Sequence, residues 1–129
     1  DMFVNNMETL KQQGYRTMAC NTISSLNVFY AVEFYKWAIK NFGNEVHSQF
    51  VVDKQHLDIS YLPQHAKGRV LERIANYKGK IFDSIREKLN VQKEDRSKEL
   101  VKYILDLDRI RKTNYPETFK EWYTILNKK

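Results

Sequence analysis

The sequence predicts an α/β fold in which a partial parallel sheet is followed by a helical cover. Helical and strand patterns alternate over residues 1–62, whereas residues 63–129 carry helical patterns alone. Because strands that alternate with helices are joined by crossovers, this order favours parallel pairing. We therefore divide the chain into an α/β segment at 1–62 and a helical C-terminal extension at 63–129.

The first helix and strand follow from a change of period. Phe3, Met7 and Leu10 stand at i, i+4 and i+7, which predicts a helix over residues 2–13 with Gly14 as its C-terminal cap. YRTMAC (15–20) lacks that period and predicts a short strand, whose carboxyl end lies in the following polar residues NTISS (21–25).

A second helix and two further strands complete the first segment. The helix has its apolar stripe at Val32, Tyr35, Ile39 and Phe42 and ends at Gly43-Asn44, and strands are predicted at HSQFVV (47–52) and HLDISY (56–61). The last two are joined too tightly to be parallel and could form a hairpin or one bent strand. Three short strands leave open edges, so we expect a fragment of a larger barrel or sheet.

Apolar stripes predict four helices after Pro63, which ends the strands. Pro116 suits the first position of the last of these, ETFKEWYTIL. The other three stripes are at Val70, Leu71, Ile74 and Tyr77, at Ile81, Ile85 and Leu89, and at Leu100, Ile104 and Leu107.

Composition narrows the class of protein. The chain has 129 residues, 42% apolar and 13% aromatic, which is typical of one folded domain with a core. No apolar run approaches the ~20 residues of a membrane helix and no signal-peptide order is present, so we expect a cytoplasmic protein without a membrane partner. The aromatic residues, including Trp37 and Trp122, are expected to pack in the core rather than to stack on bases.

The net charge of +6 lies in the second half, since residues 61–129 carry 17 Lys and Arg against 10 Asp and Glu. The basic second half could be a small module that binds an acidic protein or a nucleic acid. It could equally be an ordinary solvated helical surface, because acidic residues alternate with the basic ones. The module would use Tyr77, Lys78, Lys80, Arg86, Lys88, Arg109, Arg111 and Lys112.

Several chemistries are excluded or unsupported. The four glycines are not spaced as in a phosphate-binding loop. The three histidines are nine residues apart, so no helix presents two of them to a metal ion as an i, i+4 pair. The single Cys20 can form no internal disulfide and cannot alone ligate a zinc ion or an iron–sulfur cluster. We expect it to be a packed thiol. No catalytic constellation is visible, so enzymatic activity is left open.

The polar run after the first strand is the candidate site. Asn21, Thr22, Ser24, Ser25 and Asn27 supply short hydrogen-bonding groups at the carboxyl end of a predicted parallel strand, where ligands of α/β sheets bind. Alternatively, Ser24, Ser25 and Asn27 cap the next helix.

Four stretches resemble the C-terminal half of radical S-adenosylmethionine proteins, particularly phage and bacterial members with a short C-terminal domain. They are MACNTISSLNV, FYAVEFYKWAIKNFG, QHLDISYLPQHAK and LDRIRKTNYPETFKEW. The resemblance implies a partial (β/α) barrel in which Asn21, Thr22, Ser24 and Asn27 lie near the adenosyl group of S-adenosylmethionine. Leu62-Pro63 and Lys67 resemble a further segment of that family, a Leu-Pro followed by a Lys, and the resemblance implies no catalytic role for them.

The family's Cys-x3-Cys-x2-Cys loop is absent. A 4Fe–4S cluster is therefore expected only if a missing N-terminal half or another chain supplies it, and the present chain would be inactive alone. In a complete enzyme, the resemblance implies radical chemistry on a peptide or nucleoside substrate.

Overall fold

A computed structural model describes residues 1–43 and 46–128. Seven helices and two strands follow one another in these residues. The helices are α1 (Met2–Gln12), α2 (Ala31–Phe42), α3 (Gln64–Ile74), α4 (Lys80–Leu89), α5 (Ser97–Arg111), α6 (Tyr115–Thr118) and α7 (Lys120–Leu126), and the strands are β1 (Ala19–Ile23) and β2 (Val46–Phe50). Strands and helices thus mix in the first half and helices alone fill the second, as predicted.

The two strands pair in parallel, with Ala19 opposite Val46 and Ile23 opposite Phe50. The intervening α2 makes the crossover that parallel pairing requires, and Gly43, at a φ of 62°, ends it. The prediction of parallel pairing across this helix is confirmed. Asn44, the second residue of the predicted stop, lies outside the described residues.

β1 begins four residues later than predicted and includes part of the polar run. Residues 15–18 precede it, with Tyr15 and Met18 exposed, whereas its carboxyl end at Ile23 lies within NTISS, as predicted. The polar residues therefore occupy alternate faces of a strand, and only residues 24–27 form a loop.

The predicted strand HLDISY is wrong. Residues Gln55–Leu57 and Ile59–Tyr61 form two short 3-10 turns, and the sheet has two strands within the described residues. Asp58 explains the difference, because its Oδ1 accepts hydrogen bonds from Ser60 N at 2.9 Å and Ser60 Oγ at 2.8 Å. A side chain that bonds the backbone two residues ahead stabilises a turn against a strand. A barrel is accordingly not formed by the described residues.

One core joins both halves of the chain. Ile23, Phe29 and Ile59 from the first segment pack in the same cluster as Phe82 and Trp122 from the helical extension. The Phe29 and Trp122 rings stack with centroids 5.0 Å apart. A second, small cluster of Ala19, Ala38 and Phe42 lies between α2 and the sheet, with Met7 of α1 against it. The helical extension therefore folds onto the loop that follows β1.

The last predicted helix is divided in two. Pro116 lies in the first turn of α6, as expected, but Phe119 has φ −119° and ψ 51°, which interrupts the helix before α7. The interruption lets Trp122 enter the core while Tyr115 faces the loop after β1.

Candidate functional site

The two faces of the sheet differ sharply. On one face α2 covers Ala19 and Ile23, which are 7% and 1% exposed. On the opposite face all four side chains are exposed: Cys20, Thr22, His47 and Gln49. We call these four residues the open face.

The register places the open face in two adjacent pairs. Cys20 lies opposite His47 and Thr22 lies opposite Gln49, and paired strands are about 4.8 Å apart. A thiol, a hydroxyl, an imidazole and an amide thus form one compact group that can donate and accept hydrogen bonds. It carries no carboxylate and no permanent cation. Such a surface suits a neutral, hydroxyl-bearing ligand better than a phosphate.

The structure separates the four predicted site residues. Thr22 lies on the open face near the carboxyl end of β1, whereas Asn21 is half-buried on the side of α2. Ser24 is buried, and its Oγ accepts a hydrogen bond from Leu26 N at 3.2 Å. Asn27 is exposed and bonds its own loop. These four side chains do not converge on one point.

Hydrogen bonds within the protein occupy the side chains of Ser24 and Asn27 in the polar loop at residues 24–27. Asn27 Oδ1 accepts from Ser24 N at 2.9 Å, and Asn27 Nδ2 donates to Thr22 O at 2.8 Å. Asn27 precedes the 3-10 turn Val28–Tyr30, but its side chain makes no capping bond to that turn. The helix-cap alternative is thus replaced by bonds that close the loop on itself.

Three other segments bind the backbone of the same loop. Ser25 N donates to Leu57 O at 2.9 Å, Trp122 Nε1 donates to Ser25 O at 2.8 Å, and the Tyr115 hydroxyl donates to Leu26 O. Burial raises the pKa of Tyr115, and the charges of Tyr30 and Asp108 raise it further. The loop is therefore held from both halves of the chain.

Sequence reasoning missed most of the open face. Cys20 is exposed, so the expectation of a packed thiol is wrong. His47 and Gln49 received no role, although polar side chains at i and i+2 of two predicted strands were the available signal. Which face of the two strands is left uncovered depends on where α2 packs, and the local sequence pattern does not contain that information.

Lys67, which the family resemblance singled out, is buried and lies on α3. The residue is 1% exposed, and its Nζ donates to Val91 O at 2.8 Å. Burial lowers the pKa of Lys67, and the nearby Asp58 carboxylate opposes that shift. Asp58 also pairs with Lys88 at 3.5 Å. Lys67 therefore belongs to a buried polar group between the 3-10 turns and α4, apart from the open face.

Half of the eight residues of the proposed basic surface have contacts within the protein. Arg86 donates to Ile74 O at 2.7 Å and pairs with Asp83 at 3.0 Å, and Arg109 lies 3.7 Å from Asp106. Tyr77 packs against the main core. Lys78, Lys80, Arg111 and Lys112 are exposed. The eight residues do not form one uninterrupted cationic patch.

Metal and membrane sites have no support in the part of the chain that the structure describes. It contains no group of three His, Cys, Asp or Glu side chains able to hold a metal ion. None of its helices has the length and apolar character needed to cross a bilayer.

Comparisons of the chain with protein-family models, curated proteins and solved structures give no match.

Proposed function

We propose that this chain is the C-terminal portion of a radical S-adenosylmethionine enzyme that acts on a peptide or nucleoside. One observation carries the proposal: β1 and β2 are parallel, α2 covers one face of the pair, and the other face is bare and polar. Helices surround a (β/α) barrel and the opposite strand face points inward. The open face would then line the interior of a barrel that other strands complete.

The open face would bind the adenosyl group of S-adenosylmethionine. Thr22 and Gln49 are the members of the open face closer to the carboxyl ends of their strands, the end at which barrel enzymes bind their ligands. A hydroxyl and a carboxamide can bond ribose hydroxyls and the edge of a base. In this proposal Thr22 keeps the role first assigned to it, while Ser24 and Asn27 support the loop behind it.

The chain does not fit the iron–sulfur cluster of the family. It has a single cysteine, whereas the cluster needs three thiolates from a closely spaced loop. We therefore assign no reaction step to this chain. Its role would be to bind and orient cofactor and substrate, and the cluster ligands would come from another part of a longer protein or from another chain.

Light scattering coupled to size-exclusion chromatography, with thermal melts with and without S-adenosylmethionine, tests the proposal. We expect self-association or a melting temperature that the cofactor raises, because ligand binding to the folded state stabilises it. Thr22→Val should abolish the cofactor effect, whereas Thr124→Val, on the exposed surface of α7, should retain it. A cooperative monomer whose melt ignores the cofactor would refute the proposal.

The alternative, a basic module for an acidic protein or nucleic acid, gains no specific observation. Internal bonds occupy Arg86, Lys88 and Arg109, so fewer cations remain to neutralise phosphates. Binding through phosphates would fall steeply with salt. A salt series with an RNA or DNA oligonucleotide would reveal it.

A further inference from the structure

An apolar pocket of about 300 Å³ lies between α5, α6 and the loop after β1. Its apolar wall comes from Leu26, Ile104, Leu107 and Phe119. The Tyr115 and Phe119 rings, with centroids 4.7 Å apart, form one side. The volume is at the lower end of the range of small-molecule sites, and cavities about half this size admit a benzene ring. The pocket can therefore hold a small aromatic group.

The polar groups at the pocket mouth are mostly committed. Asp108 Oδ1 accepts from Thr113 Oγ1 at 2.7 Å, and both carboxylate oxygens accept from Tyr115 N, at 3.1 and 2.9 Å. Asn114 Oδ1 accepts from Glu117 N, and its Nδ2 donates to Glu117 Oε2. These bonds hold the turn from α5 into α6, so they shape the pocket and leave little hydrogen-bonding capacity for a ligand.

Arg111 is the exception. It lines the pocket and is exposed, and its guanidinium forms no bond or ion pair with the residues that the structure describes. Asp108, one turn earlier on α5, is bonded to Thr113 and Tyr115 instead. A free guanidinium beside an apolar cavity can bind a carboxylate through two parallel hydrogen bonds.

We propose that this pocket binds a small aromatic carboxylate, with the ring between Leu107 and Phe119 and the carboxylate on Arg111. The site is separate from the open face and does not depend on the proposed function. It combines an aromatic wall with an unpaired cation at its mouth.

NMR titration of the isotope-labelled 129-residue chain with 2-naphthoate tests the site. We expect shift changes centred on residues that border the pocket, such as Leu107, Thr113 and Phe119. The cationic isostere 2-naphthylmethylamine should bind at least tenfold more weakly. The Arg111 guanidinium would repel its ammonium group, and the acceptors at the pocket mouth are mostly occupied by internal hydrogen bonds. Equal or tighter binding of the amine would overturn the proposal, as would the absence of shifts at the pocket.

Two arginine variants separate the charge contact from the cavity. Arg111→Gln should weaken 2-naphthoate about tenfold, since a charged hydrogen bond contributes on this scale, and should leave binding of the neutral 2-naphthalenemethanol unchanged. Arg109→Gln, which removes one of the two cations paired with Asp106, should change neither. Unaltered naphthoate affinity in Arg111→Gln would show that the carboxylate does not bind there.

Discussion

Single side chains join the distant parts of this protein. Trp122 and Tyr115, which lie in separate short helices, both donate to carbonyls of one loop after β1, at Ser25 and Leu26. The two bonds span 97 and 89 residues of sequence, respectively. Because the donors are partly or wholly buried, removing either leaves a carbonyl without its partner, which costs more than an exposed bond would.

We expect Tyr115→Phe to reduce the free energy of unfolding by about 1–2 kcal/mol at pH 7, through loss of the bond to Leu26 O. It should also change the alkaline behaviour. Burial raises the pKa of Tyr115 above its ordinary value of 10.0, so above pH 10 the unfolded chain holds fewer protons than the folded one and stability falls. That decline should be shallower in Tyr115→Phe.

Urea unfolding followed by circular dichroism from pH 7 to 11 measures both effects. Tyr123→Phe, in α7, is the matched control and should keep the alkaline decline. An identical pH slope in Tyr115→Phe and the parent chain would contradict the burial of the Tyr115 hydroxyl.

At the scale of elements, the loop between β1 and α2 explains the polar run. Asn27 bonds both the backbone N of Ser24 and the backbone O of Thr22, which fixes how β1 turns toward the 3-10 turn Val28–Tyr30. Asn21 instead lies within the strand. Two asparagines six residues apart therefore have different structural roles despite their similar sequence surroundings.

We expect Asn27→Ala to lower stability by about 1 kcal/mol, because two side-chain hydrogen bonds to the backbone are lost at an exposed position. Asn21→Ala, for which no such pair of bonds is made, should cost less. Thermal and urea unfolding of the two variants compares them directly. Equal losses would mean that the Asn27 bonds do not hold the loop.

Across the whole molecule, stability is unevenly distributed. The main cluster draws on residues from Ile23 to Leu126, whereas α1 has no buried residue and packs only at the edge of the small cluster. Elements with few buried apolar contacts open at low free-energy cost. The cooperative folding unit is therefore the loop after β1 together with the helical extension, and α1 is peripheral to it.

We expect Trp122→Phe to destabilise the whole domain by about 2–3 kcal/mol, since it removes buried volume and the bond to Ser25 O. Trp37→Phe, in the small cluster, should cost about 1 kcal/mol or less. Urea unfolding followed by far-ultraviolet circular dichroism measures both losses of stability, because replacing a tryptophan alters the intrinsic fluorescence. Comparable losses in the two variants would argue that the clusters contribute equally.

The sequence by itself determined the helices other than the divided last one, the parallel pairing of the two strands, and the lack of enough cysteines in this chain to hold an iron–sulfur cluster. Periodicity at residues such as Val32, Tyr35 and Ile39 is a local signal, and a helix between two strands constrains their direction. Cysteine number is read directly. These features do not depend on which distant residues meet.

Only the tertiary structure decided which side chains form the candidate site and whether the third predicted strand exists. The alternation of Leu57, Ile59 and Tyr61 suits a strand, but the bonds of Asp58 and the lack of a neighbouring strand give turns instead. Likewise, which side of β1 is covered depends on where α2 packs, and this leaves Thr22 exposed while Asn21 faces inward. Side-chain burial is set by contacts between distant segments, which a local pattern does not contain.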